Sequence, residues 1–164
     1  MSKPRKVTFR YRAESKSGDV TITSGHVVTT GDSGAGIVAT ATSGNISITA
    51  DQTEVKGTGQ TGPFTGDAIT GTSQDGNVTI TSQNASSDAL YGTAIGGSAG
   101  GNVSITSDTA KTTGDGGVAI YAVAAGNTQV NSGTLTTTGD DSFGISARAN
   151  SGDVSVVSEN LTTT

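Results

Sequence analysis

Gly76-Asn77-Val78-Thr79-Ile80-Thr81-Ser82 is the stretch on which the fold turns, because the chain writes it repeatedly. It recurs as Gly18-Asp19-Val20-Thr21-Ile22-Thr23-Ser24, Gly44-Asn45-Ile46-Ser47-Ile48-Thr49-Ala50 and Gly101-Asn102-Val103-Ser104-Ile105-Thr106-Ser107. Weaker copies begin at Gly126 and Gly152. The leading glycines lie 26, 32, 25, 25 and 26 residues apart. Each copy is short, β-branched and strictly alternating, the pattern of a strand with one buried face. A fixed period of this length marks a solenoid, whose repeats bury their apolar faces only by stacking.

Two further strands fit between successive copies. A Thr-rich one reads Val27-Val28-Thr29-Thr30-Gly31 and again Leu135-Thr136-Thr137-Thr138-Gly139. The next reads Gly36-Ile37-Val38-Ala39-Thr40-Ala41, matched by Gly144-Ile145-Ser146-Ala147-Arg148-Ala149. Three short strands per turn, separated by Gly, Asn and Asp, describe an all-β, three-sided parallel β-helix of about six rungs of 25–26 residues. Inward columns are expected at Val20/Ile46/Val78/Val103/Thr128/Val154, Ile22/Ile48/Ile80/Ile105/Val130/Val156 and Ile37/Ile69/Ile95/Ile120/Ile145. Small residues at Ala39, Gly71, Gly97, Ala122 and Ala147 suit a constricted corner. The residue after each repeat glycine is Asn or Asp, at 19, 45, 77, 102, 127 and 153, which predicts a ladder of side chains between turns.

Composition agrees with a narrow core rather than a sphere. Among 164 residues there are 25 Gly, no Cys, no Trp and one His, and hydrophobic residues make up only 31%. Such values would ordinarily point to disorder, but a solenoid needs only two or three apolar residues per strand. The absence of cysteine excludes a disulfide framework and a thiolate metal site. No window approaches the length of a membrane helix, so no membrane insertion of this segment is expected. The start, Met1-Ser2-Lys3-Pro4, lacks the apolar core of a signal peptide. That suits either a chain that stays where it is made or a piece of a longer exported precursor.

Net charge is −5, with the signs segregated. Lys3, Arg5, Lys6, Arg10, Arg12 and Lys16 crowd the start, whereas Lys56, Lys111 and Arg148 are the only basic residues after it. The repeats are therefore poor candidates for binding nucleic acid. Residues 1–16 are read as a basic N-terminal capping strand, with Val7, Phe9 and Tyr11 alternating against Thr8, Arg10 and Arg12. Residues 17–164 form the β-helix repeats. The rung that begins at Ala50 carries six extra residues, falling within Gly57 to Gly66, and insertions of this kind protrude as loops. Pro63 and Phe64 within it are the candidate ligand-contact residues, against the plainer reading of Phe64 folding back on the rod.

No catalytic constellation is visible, and no metal site or cofactor is expected. His26 lacks a second His or Cys with which to build a dyad, and preceding an inward Val27 it should face solvent. Asp140 and Asp141 are a weak cation pair, since neighbouring turn residues usually diverge. Lys56, Lys111 and Arg148 fall on different strands and give no lyase-like base. The outward positions Thr21/Thr23, Ser47/Thr49, Thr79/Thr81 and Ser104/Thr106 form a Thr-x-Thr array like that of ice-binding solenoids, although Thr is also the ordinary residue of a solvated strand face.

With its units aligned, the pattern Gly-Asn-Val-Thr-Ile-Thr-Ser, Thr-Thr-Gly-Asp, Gly-Ile-x-Ala-x-Ala resembles the passenger-domain repeats of bacterial autotransporters and related adhesins over residues 17–164. The resemblance implies a right-handed parallel β-helix, export to the cell surface or beyond, and service as a non-enzymatic stalk or adhesive surface with a host-surface or glycan ligand. An engineered β-helix scaffold, and an ice-binding or polysaccharide-binding solenoid, are the alternatives. Weak homodimerisation is also expected through the C-terminal end, where the last rung has no counterpart of the N-terminal strand to cover it.

Overall fold

A computed structural model describes residues 8–31, 34–57 and 66–164. All regular structure in them is strand: β1 (Thr8–Ser15), β2 (Val20–Thr29), β3 (Gly34–Ala41), β4 (Ile46–Val55), β5 (Ile69–Ser73), β6 (Val78–Ser87), β7 (Thr93–Ala99), β8 (Val103–Thr112), β9 (Val118–Ala124), β10 (Thr128–Thr137), β11 (Phe143–Ala149) and β12 (Val154–Thr163). Odd-numbered strands stack into one parallel six-stranded sheet and even-numbered strands into a second, so each odd–even pair makes one turn of a β-solenoid. Rungs in parallel sheets lie about 4.8 Å apart, which makes the rod on the order of 25–30 Å long.

The predicted columns appear residue for residue. Val20 pairs with Ile46, Ile46 with Val78 and Val78 with Val103, while Ile22, Ile48, Ile80 and Ile105 stack beside them. Ile37, Ile69, Ile95, Ile120 and Ile145 form the facing column of the other sheet. Ile37, Ile69, Ile95 and Ile120 are wholly buried, each contributing roughly 1.5–3 kcal/mol before entropy is subtracted. The small column is small by necessity. A Cβ on Gly97 would sit 2.9 Å from Cγ1 of Val103, and one on Gly71 would sit 3.0 Å from Cγ1 of Val78.

The first two strands expected in each turn are not separate. The repeat strand and the Thr-rich strand run on as one ten-residue strand, with burial alternating to Ser24, then two outward residues, then inward again at Val27. Pairing lapses at one position only: Ser24 pairs with Ala50 and His26 with Gln52, and Gly25 is passed over. Two outward residues in succession bend the strand, so a corner is turned without a loop. By backbone pairing the solenoid therefore has two sheets rather than three.

The repeat Gly-Asx pair owes its recurrence to the same stacking. A Cβ on Gly76 would collide with the carbonyl oxygen of Gly44, and one on Gly44 with that of Gly18. The Asx side chain then ties each rung to the next. The backbone N–H of Asn45 donates to Oδ1 of Asp19 (2.7 Å), that of Asn77 to Asn45 (2.9 Å), and that of Asn102 to Asn77 (2.8 Å). Asn127 donates to Asn102 (2.7 Å) and Asp153 to Asn127 (2.8 Å). The predicted ladder is present, with side-chain oxygen bonded to backbone N–H as its main contact. Side-chain amide nitrogen joins it at Asn45 and Asn77.

β1 extends the odd-numbered sheet in parallel, setting Tyr11 opposite Ile37 and Ala13 opposite Ala39. The strand of the basic N-terminal segment thus occupies the place of a repeat strand. The two ends of the even-numbered sheet differ. Val20, Ile22 and Val27 of β2 are buried, whereas Val154, Val156 and Leu161 of β12 are 44–53% exposed.

Candidate functional site

His26 lies on the outside of β2, 4.0 Å from Glu54 of the next rung. Glu54 is held more closely by Lys56 (2.7 Å), and that hydrogen bond lowers its pKa below the ordinary glutamate value. The remaining cations are dispersed, with Lys111 on β8 and Arg148 on β11, in different sheets. Asp140 and Asp141 occupy a turn in which the N–H of Asp140 donates to Oδ1 of Asp115 (3.0 Å), again a rung-to-rung bond. Among the described residues no group of three or more His, Cys, Asp or Glu side chains is placed to hold a metal ion. Pro63 and Phe64 lie outside the described residues.

The two outer faces are chemically unlike. On the even-numbered sheet the array Thr21/Thr23, Ser47/Thr49, Thr79/Thr81 and Ser104/Thr106 stands in register, continued by Gln129/Asn131 and Ser155/Val157. It is hydroxyl-rich, and a broad open groove of about 590 Å³ crosses its C-terminal rungs between Thr106, Asp108, Asn131, Val157 and Glu159. On the odd-numbered sheet the column that points away from the core reads Arg12, Val38, Thr70, Gly96, Tyr121 and Ser146, of which Val38 and Thr70 are nonetheless buried, at 3% and 7% exposed. Gly96 is the single gap in that row of side chains. Its backbone does not demand glycine, because an added Cβ would have no neighbour closer than 3.6 Å.

The gap opens a cleft of about 270 Å³, bounded by Thr70 and Thr72 on one rung, Thr93 and Ser98 on the next, and Tyr121 on the third. Gly71 and Gly97 line it as well, and Asp67 stands at one end. Asp67 is fixed by the N–H of Thr93, which donates to Oδ1 (2.9 Å), by the hydroxyl of Thr70, which donates to Oδ2 (3.1 Å), and by the Thr93 side chain. Burial nonetheless pushes its carboxyl above the ordinary aspartate pKa, against the pull of those bonds. No Lys or Arg among the described residues forms an ion pair with it. Tyr121 remains exposed, as do Phe143 on the following rung and Tyr91 in the turn before β7.

This cleft escaped sequence reasoning. Its members come from three rungs, and Gly96 is one glycine among 25. The only available signal was the missing side chain in an otherwise filled outward column, which depends on the register being known.

Compared with protein-family models, with curated proteins and with solved structures, the chain returns no match.

Proposed function

We propose that the chain is a non-enzymatic rod, a stalk segment with an adhesive outer face, belonging to a cell-surface or secreted protein of the autotransporter type. The observation that carries this reading is the continuity of the axial bonding. The same Asx oxygen joins every rung to the next from Asp19 to Asp153, so the core and the ladder are spent on length and stiffness. Variation is left to the outside, where an aromatic, notched face backs onto a hydroxyl-rich face. A repeat array stabilised by nearest-neighbour contacts can be extended without altering its cross-section, which is the mechanical requirement of a stalk. Beads coated with the chain should be retained under flow on epithelial monolayers above albumin-coated beads. Retention equal to albumin would overturn the adhesive reading.

The Thr-x-Thr register on the even-numbered sheet favours ice binding as a second reading, since four successive rungs present paired hydroxyls at the strand spacing. Faceting of ice crystals at micromolar protein tests it, and crystals that grow as rounded discs would dismiss it.

A further inference from the structure

We propose that the cleft over Gly96 binds a single neutral pyranose ring, with the Tyr121 ring as its stacking wall and the Asp67 carboxylate as its hydroxyl acceptor. This deepens the adhesive reading by naming the part of the outer face that makes contact and the class of ligand it takes.

Shape comes first. Thr70 and Tyr121 share a column and are separated by one rung, Gly96, whose side chain is missing. Strands two rungs apart lie roughly 10 Å from each other, so removing the middle side chain leaves a slot of about one ring's thickness. At about 270 Å³ the cleft falls just under the lower end of the range typical for small-molecule pockets, which suits one ring rather than a long oligosaccharide. Neither conformation nor packing requires Gly96 to be glycine. Every other described member of that outward column carries a side chain.

The lining chemistry selects the ligand. One wall is an exposed aromatic ring with a polar tip, which takes an apolar face and leaves its hydroxyl free to bond. The remaining polar groups are the hydroxyls of Thr70, Thr72, Thr93 and Ser98 and the carboxylate of Asp67. A carboxylate has about four lone-pair sites, of which the Thr93 N–H, the Thr70 hydroxyl and the Thr93 side chain occupy three. The one left can accept a ligand hydroxyl, and such a charge-assisted bond is the strong kind. Among the described residues no cationic side chain lines the cleft, so a phosphate, sulfate or carboxylate ligand would meet a carboxylate without compensation. A pyranose supplies what the cleft lacks: an apolar C–H face for Tyr121 and donor hydroxyls at its rim.

The test is saturation-transfer NMR on the intact chain with glucose, galactose, mannose and N-acetylglucosamine, each at millimolar concentration. At least one sugar should show transfer to its ring protons. Gly96→Leu, which fills the slot from a position with room for a Cβ, should weaken it about tenfold or abolish it. Tyr121→Ser, an exposed and therefore fold-neutral change, should do the same, while both variants keep the parent circular dichroism and melting temperature. Absence of transfer from all four sugars to the parent chain would overturn the proposal, as would transfer unchanged in both variants. Because bead retention is measured separately, retained beads without sugar transfer would remove the cleft and leave the adhesive reading standing.

Discussion

Four serines at the end of the repeat strand, Ser24, Ser82, Ser107 and Ser132, point into the core, are at most 8% exposed, and find no hydrogen-bond partner for their hydroxyls. Ala50 occupies the same column in the second rung and is 1% exposed. The column therefore accepts a methyl group without rearrangement. Leaving a buried hydroxyl unpaired costs about 1–3 kcal/mol, whereas replacing it with an apolar group of the same shape removes that cost. The triple variant Ser82→Ala/Ser107→Ala/Ser132→Ala changes three successive rungs. Taking the low end of that range, it should be more stable by about 3 kcal/mol. For a chain of this size 1 kcal/mol moves the melting temperature by about 2–4 °C, so the expected rise is about 6–12 °C. Urea unfolding followed by circular dichroism gives an independent reading, with the midpoint moving up and the slope unchanged. A triple variant less stable than the parent would refute the reasoning, because it would mean that those hydroxyls are bonded in solution and the column is a satisfied polar seam.

Two further outcomes follow from the stacking. Gly76→Ala places a methyl against the carbonyl oxygen of Gly44, backbone that cannot withdraw without separating two rungs, and should cost about 3 kcal/mol in chemical denaturation; a loss under about 0.5 kcal/mol would show that rungs part more easily than their ladder implies. Asp67 has a raised folded pKa, so its contribution is fully present below the unfolded aspartate value, about 4, and is lost as pH rises through the folded value. Asp67→Asn keeps an oxygen for the Thr93 N–H and removes the charge. It should therefore gain stability relative to the parent as pH is raised from about 4 to 7, and melting curves that stay parallel across that range would contradict the assignment.

The repeat register, the inward columns and the Asx ladder were legible in the linear sequence. Stacking copies one residue on its equivalent converts a period of 25–26 residues directly into contacts, so Val78 can meet only Ile46 and Val103. Alternation then assigns faces, and Gly-Asn reads as a place where backbones approach and a side chain reaches across. The corner inside each long strand was not legible. Gly25, Asp51 and Asp108 look like turn residues, and only the pairing of the residues before and after them with a parallel neighbouring strand keeps the chain extended through the bend. The cleft was hidden for a related reason. Thr70, Gly96 and Tyr121 lie 26 and 25 residues apart, and nothing local distinguishes Gly96 from the glycines that steric contact demands. A chain records which residues recur, but a gap in an outward column exists only once the rungs are stacked, because it is defined by the side chains above and below it.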